Sequence, residues 1–279
     1  MRSRLSVFLV SLGCLMLLFG CPPRTQELSA GEAQQALEES SLAAQAETLL
    51  AAGVDVTTQF TIGNAIEQAA SEAQAFVVSQ LPCALITRRA STLTIEYGAA
   101  PGACIYRGHS FAGEHSISIL RNAANEVAVH QEWNGFNDGH VSISGSADVT
   151  WSRTTASRHV LHEITWTVLT GSSSGMSGTG RGDRTQTPLA EGGLATGMRI
   201  DGTRSWDDPA GHFDLDIDSV EVRWSDPVPQ AGAYVLTTPT GMSLTLAFDR
   251  IDSSRIRVSA RSGTRAFSFS IGPDGNVAR

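Results

Sequence analysis

Residues Ile256–Ile271, IRVSARSGTRAFSFSI, decide the fold class. Ile256 and Val258 lead into Phe267, Phe269 and Ile271, with Ser268 and Ser270 between the aromatic positions. Successive side chains on a strand point to opposite faces, so this period of two puts apolar groups on one side and hydroxyls on the other. One face then meets a core and the other meets water, which favours antiparallel sheet.

The same period runs outward from this hairpin. Ile117 and Ile119 alternate with Ser116 and Ser118, then come Val127 and Val129, then Val141 and Ile143. Turn signals separate the runs at Gly98–Gly102, Asn134–Gly139, Asp207–Gly211, Pro227–Gly232 and Pro273–Gly275. The pattern predicts about ten to thirteen strands, mostly in hairpins. A weak internal repeat accompanies them. Val141-Ser-Ile-Ser-Gly145 precedes Trp151 and Ile164-Thr-Trp166, and Met198-Arg-Ile-Asp-Gly202 precedes Trp206 and Val222-Arg-Trp224. Arg107-Gly108 with Phe111 and Trp133 forms a more degenerate third copy. The unequal spacing predicts a duplicated hairpin unit, not a solenoid of fixed period. The tryptophans read as core fillers with a polar edge.

Before Cys83 the period is helical. Ser29 and Glu32 have capping-box spacing, and the stretch to Ala52 is rich in Ala, Glu, Gln and Leu, with Gly53 placed as a C-terminal cap. A second helix is expected from about Thr61, its apolar face made by Ile62, Ala65, Ile66, Ala69, Ala73, Phe76 and Val77, with Pro82 beyond its end. The expected class is α+β: two N-terminal amphipathic helices followed by a large, mainly antiparallel meander, barrel-like or sandwich. Residues 29–81 form the acidic helical segment and 82–279 the β domain.

The N-terminus carries Arg2 and Arg4, an apolar run from Leu5 to Phe19, then Gly20 and Cys21. Charge, grease and a small residue in that order describe a secretory signal peptide over 1–20. The run is about 15 residues, short of the roughly 20 that span a bilayer core. Leu18-Phe19-Gly20-Cys21 resembles the lipobox of bacterial lipoproteins, with bulky Phe19 a departure from its usual small or aliphatic residue. The resemblance implies that Cys21 is acylated (palmitate among its chains) and becomes the new N-terminus, leaving 21–28 as a lipidated tether. Several acyl chains anchor stably where one anchors marginally.

Cys14 leaves with the signal and Cys21 takes lipid, so Cys83 and Cys104 remain as an even pair in an exported chain, hence an expected disulfide. The basic residues are all arginine, which removes any Schiff-base or P-loop lysine chemistry. Loss of Arg2 and Arg4 takes the formal charge of -8 to about -10, against nucleic acid as a partner. Glu27, Glu32, Glu38, Glu39, Glu47, Asp55, Glu67 and Glu72 precede the first base after the tether, Arg88, and read as a solvated helix face.

Candidate chemistry is thin. His159-Val-Leu-His162-Glu163 has the wrong order for His-Glu-x-x-His, and two strand residues three apart face opposite ways. His109, His115, His130 and His140 are scattered. Asp214, Asp216 and Asp218 alternate with Phe213, Leu215 and Ile217, but Ser219 and Ser225 stand where a calcium loop needs glycine and glutamate. Gly171-Ser-Ser-Ser-Gly175, centred on Ser173, lacks the strand–turn–helix setting of a nucleophile elbow and reads, through Gly182, as a flexible loop. Arg181-Gly182-Asp183 lies inside it. No catalytic residue, cofactor or metal is expected.

The arrangement of lipobox, Ala-rich helices, cysteine-bridged first hairpin and tryptophan-marked meander resembles uncharacterised predicted lipoproteins of high-GC Gram-negative bacteria. The resemblance implies a cell-envelope protein held by its lipid, at the outer membrane rather than the inner since Pro22 follows Cys21. The expected role is non-enzymatic, structural or binding. The alternatives are a carrier or chaperone for an apolar small molecule or protein, and an envelope hydrolase.

Overall fold

The period-two segments become strands, and nearly all of them join one sheet. The computed structural model describes residues 27–106, 108–190, 193–223, 226–251, 255–271 and 277–278. The signal segment and Cys21 lie outside the described residues, as does Trp224. Helices α1 (Ala30–Thr57) and α2 (Ile66–Gln80) come first. The hairpin β1 (Leu85–Arg89) and β2 (Thr92–Tyr97) follows, then a small separate hairpin of β3 (Ile105–Tyr106) and β4 (His109–Ser110). The long meander is β5 (Ala112–Asn122), β6 (Glu126–Asn137), β7 (Val141–Ser152), β8 (Ser157–Val168), β9 (Ser177–Leu189), β10 (Gly193–Asp208), β11 (Gly211–Arg223) and β12 (Asp226–Thr237). It ends in β13 (Ser243–Arg250), β14 (Ile256–Ser262), β15 (Arg265–Ile271) and β16 (Val277–Ala278).

Each strand pairs antiparallel with its sequence neighbour, and the order β1-β2-β5 through β16 makes a sheet of 14 strands. The sheet is open: β1 and β16 are its two edges and are not paired to each other. The expectation of a barrel or sandwich gives way to one sheet backed by helices. The physical reason is that α1 and α2 already cover the apolar face, so neither closure nor a second sheet is needed to bury it. Alternation is clean along β8, where Val160, His162, Ile164 and Trp166 are buried while His159, Leu161, Glu163 and Thr165 are exposed.

Helix α1 crosses this face. At its start, Leu28 N–H donates to Ser262 Oγ (3.1 Å) and Arg265 Nη1 donates to Leu28 O (3.1 Å), at the β14–β15 turn. At its end, Thr57 Oγ1 reaches Gln131 Oε1 on β6 (3.5 Å). A helix of 28 residues is about 42 Å long at ~1.5 Å per residue. The strand spacings from β15 to β6 sum to about 43 Å at ~4.8 Å each. The helix is therefore as long as the span it crosses, and α2 then lies against β1, β2 and β5.

The Ser29–Glu32 capping box is present, both halves bonded. Gly53 is not the cap, because α1 continues to Thr57. A Cβ there would lie 3.0 Å from Trp133 Nε1 and 3.1 Å from Phe136 Cε1, so the glycine makes room for two rings. The second helix begins later than expected, with residues 61–65 forming a turn held by Glu72 Oε2 on Thr61 N–H (2.6 Å) and leaving Ile62 exposed. Cys83 and Cys104 lie at disulfide distance, Cα atoms 5.4 Å apart, tying the base of the first hairpin to the β3–β4 unit.

The repeat holds at its glycines and fails at its neighbours. Gly145 and Gly202 share a left-sided φ of 139° and 138°. Each meets the backbone of an adjacent strand so closely that a Cβ would collide with a carbonyl. Gly145 abuts β8, its hairpin partner, whereas Gly202 abuts β9, the preceding strand. Trp133, Trp166 and Trp206 fill the core, but their indole N–H groups have no partner among the described residues, so the expected polar edge is not found.

Candidate functional site

Glycines in β9 and β10 open a space that charged side chains occupy. On the inner face, Gly182 of β9 stands opposite both His162 of β8 and Arg204 of β10. Arg184, two residues on, faces Val160 on one side and Gly202 on the other. Into this gap α1 lowers Glu47. His162 Nε2 is 2.7 Å from Glu47 Oε1, Arg184 Nη2 is 2.8 Å from Oε2, and Arg204 Nε is 3.5 Å from Oε1. The Arg184 contact is an ion pair whose N–H direction misses the oxygen, since neither Oε2 nor Arg184 Nε has a well-aligned hydrogen bond.

All four side chains are at least nine-tenths buried. Burial alone would raise the Glu47 pKa, but Arg184, Arg204 and His162 together hold its carboxyl well below the usual range. Burial lowers the Arg204 pKa, opposed by Glu47, and the guanidinium carbon sits 5.7 Å from the Trp206 ring centroid.

Two helical turns further, Asp55 repeats the theme. Arg158 Nη1 donates to Asp55 Oδ1 (3.2 Å) and its Nε donates to Gln186 Oε1 (2.6 Å). Burial lowers the Arg158 pKa, opposed first by Asp55. Arg158, Arg184 and Arg204 thus outnumber Glu47 and Asp55 along one polar seam beneath α1.

This second pair forms part of a cleft of about 530 Å³. The cleft opens where the C-terminal end of α1 meets the β5–β6 and β7–β8 turns. Ile62, Val127, Trp151, Pro188 and Met198 give it apolar walls, and Arg153 stands exposed at its rim. Among the described residues Arg153 has no side-chain partner, whereas the other lining acid, Glu126, is paired with Arg121 at 2.6 Å. A separate groove of about 490 Å³ lies on the outer face over β7–β11.

The sequence candidates fall on the outer face or in the core. His159 faces water and pairs with Asp183 (2.6 Å), opposite in direction to His162. Asp214, Asp216 and Asp218 are exposed on β11 while Phe213, Leu215 and Ile217 are buried. Among the described residues no group of His, Cys, Asp and Glu is placed to hold a metal ion. The loop expected through Gly182 is shorter: β9 begins at Ser177, so Arg181 and Asp183 are strand residues paired with Glu163 and His159. Ser173 sits in the β8–β9 turn without a following helix.

His115, one of the scattered histidines, is fully buried. Its Nε2 is 3.0 Å from Gln131 Oε1 and its Nδ1 3.3 Å from Tyr97 Oη, and burial pushes its pKa down to about 3. Glu39 is a further departure from a solvated acidic face. Partial burial, with Asp208 close by, pushes it up to about 7.

Composition hid Glu47. The usable signal was its position in the stripe Ala43, Ala46, Leu50 and Val54, all buried, together with Arg204 in phase with Trp206 and His162 in phase with Ile164. Among the described residues no helix is long and apolar enough to cross a membrane. No protein-family model, curated protein or solved structure matches the chain.

Proposed function

We propose that the chain is an exported, lipid-tethered, non-enzymatic binding protein that holds a small apolar-bodied ligand in the cleft at the end of α1. The observation that carries this reading is the cleft itself. Its volume of about 530 Å³ falls inside the roughly 300–1,000 Å³ of small-molecule sites, and it joins apolar walls to a few convergent polar groups. A carrier with an open greasy trough is the less favoured form, because helices occupy the inner face of the sheet.

The tether fits the same picture. Glu27 accepts from Thr264 N–H (2.6 Å) and Oγ1 (2.8 Å), so the chain emerges beside the β14–β15 turn. Cys21 lies six residues before Glu27, a reach of about 20 Å at ~3.4 Å per extended residue. Acylation of Cys21 would hold that turn near the bilayer and set the cleft at the far end of α1.

The test uses Trp151, half-buried in the cleft wall. Small apolar compounds should change tryptophan emission of the purified protein, and Trp151→Phe should abolish the change while leaving thermal stability in place. Turnover of ester, amide or glycoside substrates without such binding would overturn the reading.

A further inference from the structure

We infer that the ligand of this cleft is a single-chain amphiphile with an anionic head, its tail along Val127, Trp151, Pro188 and Met198 and its head on Arg158 and Arg153. The inference rests on the binding reading above and adds the class of ligand. Three observations carry it.

The first is donor supply. Arg158 spends Nε on Gln186 and Nη1 on Asp55. Its Nη2 group has no partner among the described residues. A guanidinium offers five N–H donors in a planar fork suited to carboxylate or phosphate. The side chain is only 11% exposed, so an acceptor reaching it leaves water and gains strength from the lower dielectric.

The second is charge balance. Asp55 faces Arg158, and Glu126 is engaged by Arg121. Arg153 remains uncompensated at the rim, and the neighbouring Arg184 and Arg204 share Glu47. The lining itself balances two acids against two arginines, and the surrounding Arg121, Arg184 and Arg204 against Glu47 supply a positive excess in a chain of formal charge -8, which selects against cationic ligands. The third is the division of its walls. All of them lie on the inner face, where Val127 pairs with Trp151, Trp151 with Arg158 and Arg158 with Gln186, and Asp55 of α1 meets Arg158, so an apolar stretch runs into a polar one. A molecule with a greasy body and one charged end matches that split.

The experiment is calorimetric titration of the disulfide-bonded protein with five probes sharing a ten-carbon tail. These are decanoate, decyl phosphate, decanol, decyltrimethylammonium and, as a tail-only control, decane. Decanoate or decyl phosphate should bind at least tenfold tighter than decanol, and decyltrimethylammonium weakest. The stronger of the two anions identifies the head as carboxylate or phosphate. Arg153→Gln, at an exposed position, should reduce the preference for anion over alcohol several-fold. Arg158→Gln should abolish it while decanol affinity stays, and Arg158→Lys should restore part of it. Equal binding of anion, alcohol and cation, or a preference untouched by both arginine variants, overturns the inference and leaves the cleft reading intact. Absence of binding by every probe overturns both.

Discussion

Replacing Glu47 by alanine removes the only acid within reach of Arg184 and Arg204 among the described residues and strips His162 Nε2 of its acceptor. Breaking a buried ion pair from one side costs about 3–5 kcal/mol, because the remaining charges stay desolvated and unpaired. Two arginines are orphaned at once, which places Glu47→Ala in the upper half of that range. For a domain of this size about 1 kcal/mol moves the melting temperature by roughly 2–4 °C, so a fall of about 8–20 °C is expected. The assay is urea unfolding of the disulfide-bonded protein by tryptophan emission, with the denaturant slope checked for constancy. Replacing the acid together with both arginines, Glu47→Leu with Arg184→Met and Arg204→Met, should recover most of the loss, since apolar groups of similar volume leave no unpaired carboxylate or guanidinium to solvate. A loss under about 1 kcal/mol for Glu47→Ala would refute the reasoning, because that is the size of an exposed ion pair.

Three further outcomes follow from the same interior. His115 is neutral when folded down to a pKa of about 3, whereas an unfolded histidine takes its proton near 6.5. The unfolded state therefore binds more protons between those values, and stability should rise with pH across that window by up to about 1.4 kcal/mol per unit. Chemical unfolding of His115→Gln at several pH values should show that rise reduced. Glu39 has the opposite sign: its folded value is raised to about 7, so its contribution is full below about 4.5 and is lost as pH rises through 7. Glu39→Gln should flatten a decline in melting temperature over that range. Gly182→Ala should cost about 1–3 kcal/mol through the collision of its methyl with the His162 ring, while Arg181→Ser and Asp183→Ser on the wet face should stay within about 0.5 kcal/mol.

The sheet was legible wherever one face is wet and the other dry. Phe213, Leu215 and Ile217 against Asp214, Asp216 and Asp218 specify β11 with no outside help. Its openness was not legible, because period and turns fix each hairpin but not whether the two edge strands meet. The length of α1 was underread at Gly53, where a glycine chosen for two aromatic rings has the appearance of a cap. Glu47 reads as a solvated acid, and the arginines draw no reading at all, for a different reason. Acid and base are 115 residues apart for His162 and further for Arg184, and only the crossing of α1 over β8–β10 brings them together. The cleft depends on the same crossing. Its residues come from a helix end, two turns and the strands β6 to β10, which no single segment announces.

Native mass spectrometry of the protein purified gently, without denaturant or organic extraction, tests the central claim most directly. The intact protein should carry an anionic amphiphile that is shed on denaturation, and Ser157→Trp, which fills the cleft from one of its lining positions, should carry none at equal thermal stability. An empty wild-type protein, or one whose bound molecule survives Ser157→Trp, would contradict the assignment of the cleft.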